Sequence, residues 1–297
     1  MRFIDAHHHL WDLGHCRYPW LMARGVKRFF GDPAPIQNNY LVSDFLDESS
    51  EWTPEKSVHI QVGAEVSDSL KESQWLQQVS GTADSRGMPN AIVAFADLTA
   101  DNAEQQLSLQ AAVSNVRGIR QIVGRHPQED RQTSIGSLLN NARWCNGLAL
   151  LEKYNLSFDL QLIPPQYALA FDVFSAMPGL PVAICHCGSP WDQTKDGLDH
   201  WRKGMQQFAQ LPNVYCKVSG LGMFNHDWTD ADILPLILGA IEIFGVNRVM
   251  FGSNFPVDKL YNRYAKNWSA YERITSGFSD SERKRLFYQN TANFYRI

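Results

Sequence analysis

Short apolar segments recur along the chain at fairly even intervals. Most of them are continuously hydrophobic rather than alternating with polar residues, which is typical of parallel strands buried on both faces. Eight such segments predict eight strands, at residues 2–6, 57–62, 91–96, 116–123, 156–161, 182–186, 214–218 and 248–251.

Between these segments the apolar residues are spaced three or four positions apart, which predicts helices. The predicted helices lie at residues 67–78, 101–111, 133–154, 165–177, 201–208, 229–244 and 279–294. We expect Asp101 to cap the second helix, Asn146-Gly147 to interrupt the third, and Ser279 with Glu282 to form a capping box that begins the last.

The regular alternation of strand and helix indicates a parallel sheet with helical crossovers. Eight units within 297 residues predict a closed (β/α)₈ TIM barrel that forms one domain over residues 1–297. A doubly wound sheet is the competing fold, but a Gly-rich phosphate-binding turn usually follows its first strand. Here three histidines stand at that position. Residues 13–39 fit no regular element and predict a long first βα loop that covers the barrel mouth.

Composition narrows the classes of function. Hydrophobic residues make up 44% and charged residues 20%, enough for a large core. The net charge of −4, from 27 basic and 31 acidic residues, provides no basic surface for nucleic acid. The longest apolar run, residues 233–245, is too short for a membrane span, and residues 1–5 lack a signal-peptide core. Five scattered cysteines indicate reduced thiols. We therefore expect a cytoplasmic protein that acts on a small molecule.

Polar residues follow the predicted strands. Alternation along the first strand places His7 and His9 on one face and His8 on the other. Two imidazoles at a strand end can hold a metal ion or polarise a carbonyl oxygen. Because the carboxyl ends of barrel strands share one rim, we expect these histidines to meet the residues that end the other strands. Those residues are Gln61 with Glu65, Asp97, Arg120 with Arg125, Gln161, His186, Lys217 with Ser219, and Asn254 with Asp258.

Several motifs together resemble the amidohydrolase-related lactonases, a branch of the amidohydrolase superfamily that includes pyrone-dicarboxylate lactonase and sugar-lactone hydrolases. The motifs are Ile-Asp-Ala-His-His-His-Leu-Trp-Asp (4–12), Tyr-Pro-Trp-Leu (18–21), Gly-Ile-Arg (118–120), Cys-His-Cys-Gly-Ser-Pro (185–190), Lys-Val-Ser-Gly-Leu (217–221) and Phe-Gly-Ser-Asn-Phe-Pro-Val-Asp (251–258). The resemblance implies a (β/α)₈ barrel that hydrolyses a cyclic ester, commonly without a tightly required divalent metal.

The resemblance also implies roles for individual residues. His7, His9 and His186 would bind the lactone carbonyl, or a single metal such as Zn²⁺ in members that hold one. Arg120 would contact a substrate carboxylate or hydroxyl through its planar fork; the alternative is a structural ion pair. Further predicted substrate contacts are Gln161, Trp11 and Lys217. For Lys217, a role in a buried structural ion pair is predicted equally. Gln161 ends the fifth strand and neither Lys nor Glu ends the fourth, which disfavours a binuclear metal centre.

Two positions depart from the family pattern. Cys185 stands where relatives often have Asp, and we expect its side chain on the outer face of the barrel. On a strand, Cys185 and Cys187 would also face away from His186, which disfavours a zinc site there.

Asn254 stands where many relatives have the Asp that deprotonates water, and an amide cannot serve as a general base. Three replacements are open: Asp258, Glu65, or a metal on the histidines. We favour Asn254 as a residue that orients water or substrate, with Asp258 or a histidine–metal unit as the base. Asp258 as a mere turn cap is the alternative.

The sequence thus predicts a hydrolase that opens a small lactone derived from a sugar acid or from aromatic degradation. A mononuclear metal-dependent amidohydrolase or decarboxylase on the same barrel is the second hypothesis. A non-catalytic binder of a carboxylated small molecule is the third. The first hypothesis requires no cofactor. The second requires one divalent metal. The sequence leaves the oligomeric state open, and a homo-oligomer is compatible with it.

Overall fold

Eight parallel strands form one sheet in the computed structural model, which describes residues 1–131, 133 and 135–297. The strands pair in chain order, each with the next. Their bounds are β1 Ile4–His8, β2 Lys56–Ile60, β3 Ala91–Ala94, β4 Val116–Ile119, β5 Ser157–Leu160, β6 Val182–Ile184, β7 Val214–Val218 and β8 Val249–Phe251. All eight predicted strands are confirmed, and most of them end a few residues earlier than predicted.

Helices cover the outside of the sheet and connect its strands. They are α1 Pro19–Met22, α2 Val42–Glu48, α3 Ser69–Ser80, α4 Ala103–Ala111, α5 Pro127–Asp130, α6 Ala142–Lys153, α7 Tyr167–Ser175, α8 Lys195–Ala209, α9 Asp230–Phe244, α10 Tyr264–Ile274, α11 Asp280–Lys284 and α12 Asn290–Tyr295. This alternation around a nearly closed sheet confirms the (β/α)₈ TIM barrel. Among the helices described here, none is both long and apolar enough to cross a membrane.

The first and last strands meet at their carboxyl ends, where the barrel closes. The Asn254 backbone N–H donates to the His7 carbonyl at 2.7 Å, and the His9 backbone N–H donates to the Phe255 carbonyl at 2.7 Å. Gly252 makes this approach possible, because a Cβ at that position would lie 2.6 Å from the His7 Cβ. The closure therefore brings residues 7, 9 and 254 together.

The carboxylate of Asp5 stabilises this closure. Its Oδ1 accepts hydrogen bonds from the backbone N–H groups of His7, at 3.1 Å, and Ser253, at 2.9 Å. Its Oδ2 accepts the Tyr264 hydroxyl at 2.9 Å. The local structure at the end of β1 is therefore linked to β8 and α10 by one buried side chain.

The interior of the barrel combines apolar side chains with a buried ion pair. Apolar side chains of five strands pack against Phe294 and Tyr295 of α12. The Lys217 ammonium donates to Asp159 Oδ2 at 2.9 Å, and both side chains are fully buried. The Tyr295 hydroxyl donates to the same carboxylate, at 2.8 Å from Oδ1. The end of the chain is thus hydrogen-bonded into the barrel.

Three predictions of local structure are wrong in detail. Asn102, not Asp101, is the N-cap of α4, and Asp101 instead pairs with Arg143 on the surface. The helix predicted over residues 133–154 is a 3₁₀ segment, Ile135–Asn140, followed by α6; residue 134 lies outside the described part of the chain. Helix α6 runs through Asn146-Gly147, because Gly147 lets it pack against the backbone of Leu98.

The segment 13–39 covers the barrel mouth, as predicted, but it is not free of regular structure. It contains α1 and a 3₁₀ turn at Ala34–Ile36. A bridge between Trp11 and Tyr40 joins the two ends of the segment.

Candidate active site

The strand β1 ends in a bulge that turns two histidines inward. Pairing with β2 shifts register between Asp5 and His8. The His7 and His9 rings lie 5.1 Å apart between centroids. His8 points outward, where its ring stacks on Phe45 at 4.2 Å. The predicted separation of His8 from the other two histidines is confirmed.

His186 reaches the same cluster through a left-handed turn. Strand β6 ends at Ile184, so the strand predicted to continue to His186 is wrong. His186 and Cys187 have φ values of +53° and +51°. This turn places the His186 ring 4.5 Å from the His7 ring, and its Nδ1 lies 3.0 Å from the Ser219 hydroxyl. Three imidazoles that are distant in sequence therefore share one environment.

Cys185 lies inside the barrel rather than on its outer face, so that prediction is wrong. Its thiol is fully buried and interacts with Lys217 and Asp159. Burial raises the pKa of this thiol to about 11, and Lys217 opposes the rise only partly. The thiol is therefore protonated at neutral pH.

The three inward-facing imidazoles are neutral. Burial, followed by the charge of Arg120, lowers the pKa of His9 to about 3. Burial also holds the pKa values of His7 and His186 well below the usual range, with Lys217 and Arg120 as the main charges that add to the effect. Each ring thus carries one N–H and one lone pair. Both nitrogens of His7 lack a hydrogen-bond partner in the described structure.

The tautomer of His9 follows from its contacts. Its Nδ1 lies 2.7 Å from the Ile60 carbonyl oxygen, which can only accept a hydrogen bond. Nδ1 must therefore carry the proton, and Nε2 presents a lone pair. That lone pair faces the Asn254 side-chain oxygen at 3.4 Å.

Asn254 is held in one orientation by Asp258. The Asn254 Nδ2 donates to Asp258 Oδ1 at 2.9 Å, so its Oδ1 points towards His9. The Asn254 backbone is left-handed, with φ of +59°. Asp258 is buried behind Asn254 and does not line the cavity described below. Burial raises its pKa to about 7, while Asn254, Asn267 and the Gly222 backbone favour its charged form. Asp258 could contact a water in the cavity directly only if Asn254 moved.

Arg120 lies at the end of β4 and has no acidic partner. Its Nη1 donates to Gln161 Oε1 at 3.1 Å and its Nη2 donates to the Gln61 carbonyl. Its Nε has no hydrogen-bond partner, and the ion pairs of the described residues do not include it. Among the described residues Arg120 forms no salt bridge, contrary to that alternative, and the carboxyl groups that favour its charge, Asp159 and Glu72, lie beyond salt-bridge distance.

These groups surround a cavity of about 410 Å³ at the carboxyl ends of the strands. It is lined by His9, Pro19, Trp20, Arg28, Phe29, Phe30, Gln61, Val62, Gly63, Ala64, Phe95, Arg120, Gln121, Ile122, Arg125, Leu138, Gln161, His186, Met223, Asn254 and Val257. The volume suits a small, single-ring molecule. Five of the nine predicted site residues lie in this wall, and His7 lies directly behind it.

Two predicted substrate contacts lie elsewhere. Lys217 is bonded to Asp159 within the barrel, which is its alternative role as a buried ion pair. Trp11 is fully buried behind Trp20, with the two rings 6.0 Å apart, and its indole N–H donates to the Asn38 carbonyl. Neither residue lines the cavity, because each already has its polar group satisfied away from it.

Glu65, one of the three candidate bases, is also outside the cavity. Its carboxylate pairs with Arg17 at 3.2 Å, and both side chains are substantially exposed. Sequence reasoning in turn missed Arg28 and Phe29, which the first βα loop contributes to the wall. Arg28 donates one hydrogen bond from Nε and one from Nη2 to the carboxylate oxygens of Glu129, at 2.7 and 2.8 Å. These two bonds fix this part of the loop over the barrel. Their only sequence signal is the aromatic, Pro-rich character of residues 13–39.

The histidine cluster offers ligands of a suitable type for a single metal ion. Three neutral imidazoles suit Zn²⁺ in type, and the unpartnered nitrogens of His7 are available as ligands. Within the described ranges, however, no three His, Cys, Asp or Glu side chains are arranged as a ready-made metal cluster. If an ion binds, His7, His9 and His186 would hold it after side-chain adjustment, and it would supply Lewis-acid polarisation of a carbonyl.

Known proteins resemble this chain over nearly its full length. A family model described as Amidohydrolase matches residues 4–297. The uncharacterized protein y4mH of Sinorhizobium fredii is 41% identical over 99% of this chain and 98% of its own. L-fucono-1,5-lactonase of Burkholderia multivorans is 25% identical over 99% of this chain and 96% of its own length. The crystal structure of a zinc-bound amidohydrolase from Burkholderia multivorans has a TM-score of 0.83 over both full chains at 23% identity, which concerns the fold alone.

Proposed function

We propose that this chain, which belongs to the amidohydrolase family, hydrolyses a small lactone by adding water to the ester carbonyl. The similarity to L-fucono-1,5-lactonase supports this activity at 25% identity. A ring ester of a sugar acid or of an aromatic-degradation product is compatible with a cavity of about 410 Å³.

One observation carries the proposal: two hydrogen-bond acceptors face each other at the cavity wall. His9 Nε2 and Asn254 Oδ1 are 3.4 Å apart, and neither has a proton to give the other. A water molecule donates two hydrogen bonds and so satisfies both acceptors at once. Its oxygen lone pairs are then directed away from the wall, towards a bound carbonyl carbon.

The proton of this water passes to His9 in the proposed reaction. The water oxygen bonds to the carbonyl carbon, the carbonyl pair moves onto its oxygen, and His9 Nε2 takes one proton. The negative charge on the substrate opposes the effect of Arg120 and raises the pKa of His9 during this step. Imidazole N–H groups of His7 and His186 stabilise the oxyanion. Asn254 therefore orients water, and the amide does not itself take a proton.

Collapse of the intermediate completes the hydrolysis. The carbonyl re-forms, the bond between the carbonyl carbon and the ring oxygen breaks, and His9 returns its proton to the ring oxygen. The product is a hydroxy acid, which ionises and releases one proton to solvent. Arg120 holds the polar tail of the substrate and so fixes the direction of attack.

A metal-dependent hydrolase or decarboxylase is the second candidate, and the unpartnered nitrogens of His7 are the observation that favours it. A panel of five- and six-membered lactones, assayed by proton release with and without chelator, tests both candidates. Turnover that survives chelation and is lost in His9→Gln and His186→Gln supports the first. Turnover lost with chelator and recovered with Zn²⁺ supports the second. Lactone binding without turnover of any panel member would contradict lactone hydrolysis, with or without a metal, and indicate a binding protein.

A further inference from the structure

Five apolar side chains from three loops pack together in the cavity wall. Phe30 belongs to the first βα loop, Met223 follows β7 and Val257 follows β8, and these three side chains are buried against one another. Trp20 and Phe29 of the first loop pack against them. The ring centroids of Trp20 and Phe30 are 6.1 Å apart, and those of Phe29 and Phe30 are 5.1 Å apart. All five residues line the cavity, and together they form an apolar cluster.

The apolar cluster lies beside the histidines. Gly220 follows β7 with φ of +63°, and a Cβ at that position would lie 2.5 Å from His186 Nδ1 and 2.7 Å from Met223 Cε. Two atoms that both approach this point are close to each other, so the terminal methyl group of Met223 lies next to His186. Val257, in turn, follows Asn254 by three residues. A substituent on a lactone whose ester faces His186 and Asn254 can therefore contact the cluster.

Polar groups of the surrounding wall already have partners within the protein. The Trp20 indole N–H donates to the Val62 carbonyl at 2.7 Å. The Gln121 Oε1 accepts hydrogen bonds from Trp144 Nε1 at 2.9 Å and from the Leu98 backbone N–H at 3.2 Å. These contacts occupy the Trp20 donor and both lone pairs of the Gln121 oxygen, so neither group is free for a ligand hydroxyl.

The arginines that line the cavity beyond the strand ends, Arg28 and Arg125, are compensated by acids. The Arg28 guanidinium donates to both oxygens of Glu129, and it also lies 5.5 Å from the centroid of the Trp20 ring. Burial lowers the pKa of Arg125, whereas the carboxylates of Glu129 and Asp130 favour its charged form. Both cations therefore have counter-charges within the protein, and neither requires a polar ligand group.

The unsatisfied polar groups lie at the strand ends instead. Of the described residues that line the cavity, Arg120 alone has a buried side-chain polar atom without a hydrogen-bond partner, its Nε. That donor is free for the polar tail of the substrate. The apolar cluster has no free hydrogen-bonding group apart from the weakly accepting Met223 sulfur. A hydroxyl group packed against the cluster would leave water without replacing its hydrogen bonds, whereas burial of an alkyl or aryl group there is favourable.

We propose that the lactone substrate carries an apolar substituent, alkyl or aryl, which packs against the apolar cluster. This inference rests on the proposed lactone hydrolysis and narrows its substrate class. The substituent is placed on the ring carbon that is bonded to the ring oxygen, because that carbon adjoins the ester as Met223 adjoins His186. A cavity of about 410 Å³ has room for such a group beyond the lactone ring. Met223 is then a specificity-determining residue, and a lactone with a hydroxylated substituent is a poor substrate.

The test compares two δ-valerolactones of the same size that differ in one terminal group. One carries a propyl group on the carbon bonded to the ring oxygen, and the other carries a 2-hydroxyethyl group there. The wild-type enzyme is expected to favour the propyl lactone by on the order of 30-fold in kcat/KM, as an apolar pocket does when methyl replaces hydroxyl. Met223→Gln, which keeps the length of the side chain, is expected to reduce this preference to within a few-fold. Met22→Gln makes the same substitution at a 38% exposed position of α1 outside the cavity wall, and it should retain the preference.

Inhibition by ketones provides a readout that needs no variant, and it decides the question if Met223→Gln does not fold. In 3-propylcyclohexanone a methylene group replaces the ring oxygen, so water cannot open the ring, and the propyl group keeps its place. This ketone is expected to inhibit the wild-type enzyme competitively and about tenfold or more strongly than 3-(2-hydroxyethyl)cyclohexanone.

The outcomes separate this inference from the proposed function. Equal kcat/KM values for the two lactones in the wild-type enzyme, or equal inhibition by the two ketones, would overturn the inference while leaving lactone hydrolysis intact. A preference for the propyl lactone that Met223→Gln leaves unaltered would also overturn it, because the apolar contact would then lie elsewhere. Turnover of polyhydroxylated lactones but of neither substituted lactone would have the same consequence. Turnover of no lactone, with no inhibition by either ketone, would instead contradict the proposed function.

Discussion

Replacing Asp258 by Asn is expected to lower turnover and, above neutral pH, to stabilise the protein. Asp258 is 2% exposed, and Asn254, Asn267 and the Gly222 backbone all favour its charged form. An amide at position 258 replaces one acceptor oxygen with a donor, so one of these groups loses its acceptor. The Asn254 amide is then free to turn its NH₂ group towards His9. That orientation occupies the His9 lone pair and removes the proposed water site.

The expected loss of kcat is on the order of 100-fold, since the variant removes the orientation of the water rather than the histidine that takes its proton. KM is expected to change little because Asp258 does not line the cavity. Proton-release kinetics with the best lactone of the panel measure both constants. Wild-type kcat is also expected to rise as Asp258 ionises around its pKa of about 7. This limb of the pH profile should be absent in the variant.

The stability change has the opposite sign and a specific pH dependence. Burial raises the pKa of Asp258 from 3.8 to about 7, so the folded protein holds a proton there that the unfolded chain has released. The free energy of unfolding therefore falls by about 1.4 kcal/mol for each pH unit between these two values. Over the two units from pH 5 to pH 7 this amounts to about 3 kcal/mol. Asn does not titrate, so the variant avoids this loss.

Urea unfolding at pH 5 and pH 8 measures the effect directly. The free energy of unfolding of the variant minus that of the wild type should be larger at pH 8 than at pH 5, by about 3 kcal/mol. The lost hydrogen bond subtracts about 1 kcal/mol at both pH values and does not alter that change. Asp101→Asn removes a carboxylate that is 90% exposed and serves as the control. Parallel pH dependences for wild type and Asp258→Asn, or an unchanged kcat, would refute the reasoning.

Three further predictions concern the metal, the buried ion pair and the barrel closure. Chelator is expected to leave lactone turnover unchanged; a loss restored by Zn²⁺, measured with metal analysis, would assign carbonyl polarisation to an ion. Lys217→Met leaves the buried charge of Asp159 unpaired and should lower the free energy of unfolding by about 3–5 kcal/mol. Urea denaturation should show partial recovery when Asp159→Asn is added, and no recovery would contradict the pairing. Gly252→Ala forces a Cβ to within 2.6 Å of the His7 Cβ. It should cost about 1–3 kcal/mol in thermal unfolding, whereas Gly277→Ala, where a Cβ meets nothing within 4 Å, should not.

The strands and most helices were predictable because their signals are local. A strand buried on both faces is largely apolar, as Ala91–Ala94 and Val182–Ile184 show, and the apolar residues of a helix that face the core recur every three or four positions. Helix ends were less predictable. The capping box at Ser279 is confirmed, but the prediction of a break at Gly147 is wrong, because the contact that favours glycine there is with Leu98 in the turn after β3.

The sequence predicted which residues gather at the site, because barrel topology determines which strand ends meet. Barrel geometry brings His9, Arg120, His186 and Asn254 to one rim, and the structure confirms that they share a cavity wall. The direction of each side chain depends on the local backbone. The left-handed turn after β6 redirects His186, a change that strand alternation does not describe.

The sequence by itself determined the order of strands and helices, the barrel, and which residue types stand at the carboxyl ends of the strands, because these follow from spacing along the chain. Only the tertiary structure decided which of those residues have partners. Lys217 is neutralised by Asp159 across the barrel, Asp258 acts behind Asn254, and Arg120 forms no ion pair with any of the described residues. The physical reason is that burial and charge compensation depend on distances of a few ångströms between elements far apart in sequence, which only packing of the whole chain sets.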